Sequence, residues 1–473
     1  MEEIEIKKIS EVEWEIPKTG KMLVPGRIFA SDDLMDKIKQ DKTLSQVRNV
    51  AMLPGIIEKS MAMPDAHQGY GFSIGGVAAF DIDKGVISPG GVGYDIGCSV
   101  RLLKTNLTLE QVENNKEKIT DTIYNATPSG VGVKGKLSLS DKEINEVLEG
   151  GAQWAVSQGY GEEQDYLHME EQGKMQDTDP SIVSQRAKGR GKNQLGTLGA
   201  GNHFLEIQRV DEVFDKKAAK AFGLEEKQIV LMIHCGSRGL GHQVASDYIK
   251  KMEEEHGFPE QDRELVNAPI KSKLGKEYLQ SMNCAINFAF ANKQVITHNI
   301  RQELKKLFPN FKAEVIYDVC HNVAKFEKHK INNKEKEVLV MRKGATRSFG
   351  PDNKQIPKNY QNVGQPILIP GSMGTSSWVL VGTDKAEQAS FSSTAHGAGR
   401  VKSRTAIKQE FTDKQIQEQL REKGISLKAG SQRGIVEEAP QAYKNVDEVV
   451  NVSHKAGIGN LVAKLKPIIV IKG

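Results

Sequence analysis

A chain of 473 residues with 38% hydrophobic and 27% charged side chains has ample material for a buried core, and at ~150 residues per domain its length would allow about three domains. No run approaches the roughly 18 apolar residues of a membrane span, and the acidic start Met-Glu-Glu-Ile-Glu lacks the basic-then-apolar pattern of a secretory signal, so a cytoplasmic protein is expected. A net charge of +4, from 65 basic and 61 acidic residues, neither demands nor excludes nucleic acid, because local patches set phosphate affinity.

Glycine clusters at 69–76 and 85–97 open the chain's patterned part, and such clusters imply tight turns or close backbone approach to something bound. Ser140 and Glu143 form a capping-box pattern ahead of a helix. After a third glycine cluster at 189–201, a strand is expected over 226–233, ending in Val230-Leu231-Met232-Ile233, followed by glycines at 236–241. Tyr278, Met282, Ala285, Ala289, Ile296, Ile300 and Leu304 recur at helical spacing and predict a long core-facing helix over about 276–307. Strands follow at 314–319, 337–341 and 366–369, then glycines at 371–374 and 397–399. Thr412 and Gln415 cap a further helix that Gly424 stops, and a last strand is expected over 467–471. No Pro/Gly/Ser-rich linker divides the chain. The expected fold is α+β, mixed α/β: one large domain over 1–473, with site loops at strand ends and a helical insertion near 405–430. Three basic clusters, Arg186/Lys188/Arg190/Lys192, Arg342/Lys343/Arg347 and Arg400/Lys402/Arg404, suit solvated loops and phosphate sites equally.

Four cysteines without a Cys-x-x-Cys pair describe neither a disulfide framework nor a zinc finger. Cys284 reads as helix core. In Gly93-Tyr94-Asp95-Ile96-Gly97-Cys98 a carboxylate and a thiol stand three residues apart on a glycine-flexed loop, where together they can hold a cation. The thiolate has lone pairs enough to bridge two. The same stretch would also describe a capping aspartate and a small buried cysteine. In Gly199-Ala200-Gly201-Asn202-His203-Phe204-Leu205-Glu206, strand alternation puts Asn202, Phe204 and Glu206 on one face and His203 on the other, suggesting nucleotide on one side and metal on the opposite one.

A buried strand then runs through His234 and Cys235 into a Gly-Ser-Arg turn at 236–238 suited to phosphate oxygens. Tyr317 to Asn322 again places a histidine, His321, at a strand end. His329 lies among Glu327, Lys328 and Lys330 and reads as a surface residue, which leaves His321 as the ligand of choice. Cys235 and Cys320 should turn away from any metal, because neighbours on extended backbone point oppositely. Pro370-Gly371-Ser372-Met373-Gly374-Thr375-Ser376-Ser377 is a hydroxyl-rich loop after a strand. In His396-Gly397-Ala398-Gly399-Arg400, small residues let a phosphate approach an imidazole that can attack phosphorus without a separate base. Neither a P-loop nor a Lys-x-Asp-Gly nucleophile motif is present.

Taken in order from Met63-Pro64-Asp65-Ala66-His67-Gln68-Gly69-Tyr70-Gly71 to Lys472-Gly473, these motifs resemble the RtcB family of RNA ligases over essentially the whole chain. The resemblance implies joining of RNA 3′-phosphate or 2′,3′-cyclic phosphate ends to 5′-hydroxyl ends, using GTP and two manganese ions. It implies that Cys98 bridges the metals, with Asp95 and His203 completing one site and His234 and His321 the other. His396 would take GMP covalently. Asn202, His203, Phe204, Leu205, Glu206, His321, Asn322, Pro370, Gly371, Ser372, Met373, Ser377, Gly397, Ala398, Gly399 and Lys472 would surround the nucleotide. The expected substrate is split tRNA, damaged RNA or both, in tRNA splicing or RNA repair, with an archease-like activator as a candidate accessory and no membrane partner. Arg190, Arg238 and Arg400 are expected at RNA phosphates.

Thiolate and imidazole ligands by themselves would point to zinc; manganese comes from the resemblance. Two other readings compete. A two-metal phosphoesterase or nuclease would use the same ligands for hydrolysis but leaves His396 and Lys472 without a role. A non-catalytic RNA-binding protein should be richer in aromatic or basic patches than a chain with 6% aromatics.

Overall fold

The computed structural model describes residues 4–473 and contains both helices and strands throughout, a mixed α/β fold. The strands expected at 226–233, 314–319, 366–369 and 467–471 are Ile229–Cys235, Ala313–Cys320, Pro366–Ile369 and Asn460–Lys472, all in one sheet. Its order runs Ala313–Cys320, Ser99–Thr105, Ile229–Cys235, Phe204–Val213, Asn460–Lys472, Ser377–Val381 and Pro366–Ile369. Neighbours along this path are antiparallel.

That alternation positions the site. Ser99 opposes Cys235 and Cys320, while Phe204 opposes His234. Two strands therefore start where two others end, so Cys98, His203, His234 and His321 all fall at one margin of the sheet.

Both faces of the sheet are covered, so its strands are apolar nearly throughout. Phe204 packs with Val100, Leu102 and Met232 on one face. On the other, Leu205 packs with Leu103, Ile233, Ile296 and Ile300. Each such buried side chain contributes about 1.5–3 kcal/mol.

A second sheet holds the 337–341 expectation as Lys334–Lys343, flanked by Ile74–Asp81 and Asn322–Ile331. The long helix spans Lys273–Leu307. The expected core-facing stripe is there, but from Ser281 to Thr297 nearly every side is buried, including Asn287, Asn292, Lys293 and Gln294. The helix thus runs through the interior, and its polar residues hold the loops around it. Both capping boxes form, with Ser140 before Asp141–Ser157 and Thr412 before Asp413–Glu422.

Three expectations are corrected. The 405–430 segment is not purely helical: after Arg404–Glu410 and Asp413–Glu422 comes the strand Ser426–Ala429, parallel to Asn460–Lys472. His329 is not on the surface. In Asn322–Ile331 the outward positions are Phe326, Lys328 and Lys330, while Glu327 and His329 face inward and pair at 3.1 Å. Alternation within a charged run hides an inward polar pair. The cluster Arg342/Lys343/Arg347 is not a solvated loop, because all three are buried. Arg342 forms a two-pronged pair with Glu327 at 2.6 and 2.7 Å, and Lys343 donates to backbone carbonyls of Tyr70 and Phe72.

Candidate metal and nucleotide site

At the shared sheet margin, Cys98 Sγ lies 3.2 Å from His234 Nε2 and 3.5 Å from His203 Nε2. His234 Nε2 is in turn 3.3 Å from His321 Nε2, and His203 Nε2 is 2.7 Å from Asp95 Oδ2. Cys98 thus belongs to two ligand groups, Cys98–His234–His321 and Asp95–Cys98–His203, each with its atoms within 4.8 Å of one another. Atoms around a single ion, each about 2.0–2.3 Å from it, must lie about that close. The donor set therefore fits two metal ions sharing a thiolate.

Backbone contacts hold this geometry. His203 Nδ1 is 3.0 Å from the Leu198 carbonyl, so Nδ1 carries a proton and Nε2 is the nitrogen turned toward Asp95 and Cys98. His321 N donates to Cys98 O, and Asn322 Nδ2 to Asp95 O, tying the two loops together. A Cβ on Gly236 would stand 2.4 Å from Asp95 Oδ1, so only glycine allows that turn beside the carboxylate. As expected, the neighbouring cysteines turn away. Cys235 Sγ faces the Leu198 carbonyl, and Cys320 sits in the apolar core.

The two groups differ electrically. Burial works against charge on His203, but Asp95 outweighs it and lifts the imidazole well above its usual value. Burial and neighbouring positive charge push His234 and His321 well below theirs. Burial, reinforced by Asp95, pushes the Cys98 thiol up to about 12, so metal must displace its proton.

Next to His321, its ring centroid 4.7 Å away, stands His396. It lines a cavity of about 330 Å³ with Asn202, Phe204, Glu206, Met373 and Lys472. Phe204 and Glu206 share this wall because they alternate along one strand, and Lys472 joins them because it pairs with Phe204. Burial raises the Glu206 carboxyl to about 7. Pro370, Gly371, Ser372, Gly397, Ala398 and Gly399 also line it. Leu205, Asn322 and Ser377 stand behind the wall: Leu205 in the opposite core, Asn322 bonded to Asp95 O and Gly344 N, Ser377 to Gly371 N and Gln208.

On the other side of Cys98, Asp95 and His203 open onto a wider cleft of about 840 Å³, lined also by Arg190, Arg238, Gln194 and His242. Arg400 lies elsewhere, on the smaller cavity, where it bonds Glu438 and Tyr443.

Sequence reasoning gave several residues no role. Asp65 is fully buried and places Oδ2 2.5 Å from His396 Nδ1. The same oxygen accepts from the backbone N–H of His396 and of Gly397. Burial alone would raise the Asp65 carboxyl, but His396 holds it below its usual range. Gly399 makes the approach feasible, since its φ is +74° and a Cβ there would meet the Asp65 carbonyl at 2.1 Å. The signal was the acid in Met63-Pro64-Asp65-Ala66-His67; its distance of over 300 residues from His396 concealed the pairing.

Behind the metal ligands, Asp318 accepts from Arg101 Nε at 2.8 Å and from Lys293, which also bonds Ser99, all of them buried. Asn292 holds the loop before His203, accepting from Gly196 N and Thr197 N and donating to Thr197 O.

Two three-residue groups able to hold metal ions, sharing one thiolate between a nucleotide-sized cavity and an arginine-lined cleft, define the class of site. The model of the tRNA-splicing ligase RtcB family matches residues 46–473, and the chain belongs to that family. It is 52% identical to the tRNA-splicing ligase RtcB of Thermococcus kodakarensis and 49% to that of Nanoarchaeum equitans, each alignment covering 100% of both chains. It is 48% identical to RNA-splicing ligase RtcB homolog 1 of Entamoeba histolytica over 94% of this chain and 88% of the relative. Among the described residues no helix is long and apolar enough to cross a membrane.

Proposed function

We propose that this enzyme is an RNA ligase of tRNA splicing, joining a 3′-phosphate or 2′,3′-cyclic phosphate end to a 5′-hydroxyl with GTP and two manganese ions. Beyond family membership, one observation carries the reading. His396 faces a nucleotide-sized cavity with Nδ1 against buried Asp65 and its ring beside the metal-ligand group of His321. Asp65 retains the Nδ1 proton, which leaves the Nε2 lone pair as nucleophile.

Asp95, Cys98 and His203 would hold one ion, and Cys98, His234 and His321 the other. When bound, the ions supply Lewis-acid stabilisation of phosphate charge. Glu206 and Lys472 suit guanine, whose edge offers N1–H and N2–H donors to a carboxylate and O6 to an ammonium. Asn202, Phe204, Pro370 to Met373 and Gly397 to Gly399 would enclose the nucleotide, with Leu205, Asn322 and Ser377 supporting that wall.

His396 Nε2 bonds to the α-phosphorus as the bond to the β-phosphate oxygen breaks, releasing pyrophosphate. A 3′-phosphate oxygen, opened first by water where the end is cyclic, then attacks that phosphorus and displaces the imidazole, forming RNA-(3′)pp(5′)G. The 5′-hydroxyl oxygen attacks the RNA 3′-phosphorus, GMP leaves, and the hydroxyl proton passes to solvent. Arg190 and Arg238 would take RNA phosphates in the cleft, while Arg400, on the nucleotide cavity, would act closer to GTP. The setting would be cytoplasmic, with an archease-like protein as an accessory activator.

Incubation with α-labelled GTP and manganese should label the wild-type protein but not His396→Ala. Labelling that persists in the variant would overturn the assignment. Stronger activation of stripped protein by zinc would overturn the choice of metal.

A further inference from the structure

The open cleft is bordered by more than arginines. Tyr94, next to the ligand Asp95, stacks on His242 with ring centroids 4.9 Å apart and planes 27° apart. Tyr70 meets Tyr94 edge-on from another side, at 5.5 Å and 61°. His242 is exposed on the helix Arg238–His256, one turn after Arg238, and lines the cleft with Arg190, Arg238 and Asp95. Tyr94 covers one face of its ring.

Arg190 is held close by. Its Nη1 donates to Gln243 Oε1 at 3.0 Å, and its Nε would stand 3.0 Å from a Cβ on Gly239. Burial and the Arg190 charge keep His242 below its usual value, so at neutral pH the ring is an uncharged aromatic surface. A backed ring with a face left open, a guanidinium beside it and metal ligands at its foot matches the needs of a single-stranded nucleic-acid end. The base stacks on the ring, the phosphate meets the guanidinium, and the terminus reaches the reacting atoms.

We propose that His242, backed by Tyr94 and Tyr70, is a stacking platform for the base of the RNA nucleotide next to the junction, with Arg190 on its phosphate. The inference rests on the RNA-ligase reading and adds to it a base-binding subsite on the Asp95 side of the cluster. Because every base has a π face, the platform would be tolerant of sequence.

The test uses full-length protein with manganese and GTP. The RNA strands carry 2-aminopurine, or an abasic residue, either at the last nucleotide of the 3′-phosphate strand or at the first of the 5′-hydroxyl strand. Quenching of 2-aminopurine is expected at one of the two ends and identifies which base is held. It should be lost in His242→Ala and kept in His242→Phe. The abasic residue at that end should raise the wild-type KM for joining by roughly 5- to 150-fold, the range of one base–aromatic stack. The same RNA should bring no further loss in His242→Ala. An abasic effect that persists in full in His242→Ala, or quenching at neither end, overturns the inference. Tyr94→Leu, which removes the backing ring, should give an intermediate loss. If the wild type in the same preparation takes label from GTP and joins intact RNA, the ligase reading stands whatever becomes of the platform.

Discussion

The two flanks of Cys98 use one thiolate in different surroundings. On the closed flank His234 and His321 are nearly inaccessible, only 3% and 2% exposed, and burial keeps both imidazoles neutral beside the nucleotide cavity. On the open flank Asp95 keeps 32% of its side-chain surface, and its pairing with His203 draws a proton onto the imidazole. The closed flank therefore has its ligands ready, apart from the shared thiol. The open flank must also release the His203 proton before a metal binds, and there it is Asp95, not the buried His203, that meets solvent and whatever enters the cleft. Two sites with different donors and different access suit the proposed function, in which GTP would take the dry side and RNA the wet one.

The sharpest way to break this comparison is to remove what the flanks share. Cys98→Ala should take bound metal from about two ions to near none, since both sites lose their bridging ligand. His234→Ala and Asp95→Ala should each leave about one. Metal content after gel filtration reads this directly, and two ions retained by Cys98→Ala would end the shared-thiolate reading.

On the closed flank, Asp65→Asn should slow guanylylation on the order of 10⁴-fold, as in the Ser-His-Asp triad when the aspartate that orients a histidine becomes asparagine. Single-turnover labelling is the measurement, and an unchanged rate would mean Asp65 is structural only.

The supports of the two flanks should differ in stability. Asp318→Ala leaves Arg101 and Lys293 as uncompensated buried charges and should cost about 3–5 kcal/mol in denaturant unfolding. Asn292→Ala, behind the His203 loop, should cost about 1–3 kcal/mol by leaving buried backbone groups unpaired. The reverse order would show that the open flank, not the closed one, has the more demanding scaffold.

The smallest effect concerns pH. With its carboxyl raised to about 7, Glu206 is part protonated at neutral pH, whereas a guanine donor edge requires the carboxylate. Binding therefore favours loss of that proton. Guanine-nucleotide affinity should rise with pH through about 7 and fall by up to about tenfold for each unit below it. In Glu206→Gln this dependence should vanish. A titration by calorimetry at several pH values, with an unchanged slope in the variant, would assign the effect to another group.

By itself the sequence determined the ligand types, their places at strand ends, both capping boxes, the long helix and the alternation that separates His203 from Phe204 and Glu206. These follow from local periodicity and side-chain chemistry, which act over a few residues. Tertiary structure decided which distant strand ends meet, because antiparallel order and register are long-range properties. It set Cys98 against His234 across 136 residues and Asp65 against His396 across 331. It also decided which charges are buried. His329 reads as a surface residue and Arg342 and Lys343 as solvated or phosphate-binding in the chain, yet Glu327 and backbone carbonyls are their partners inside. A buried polar group is admitted by its partner, and its own neighbours in sequence do not name that partner.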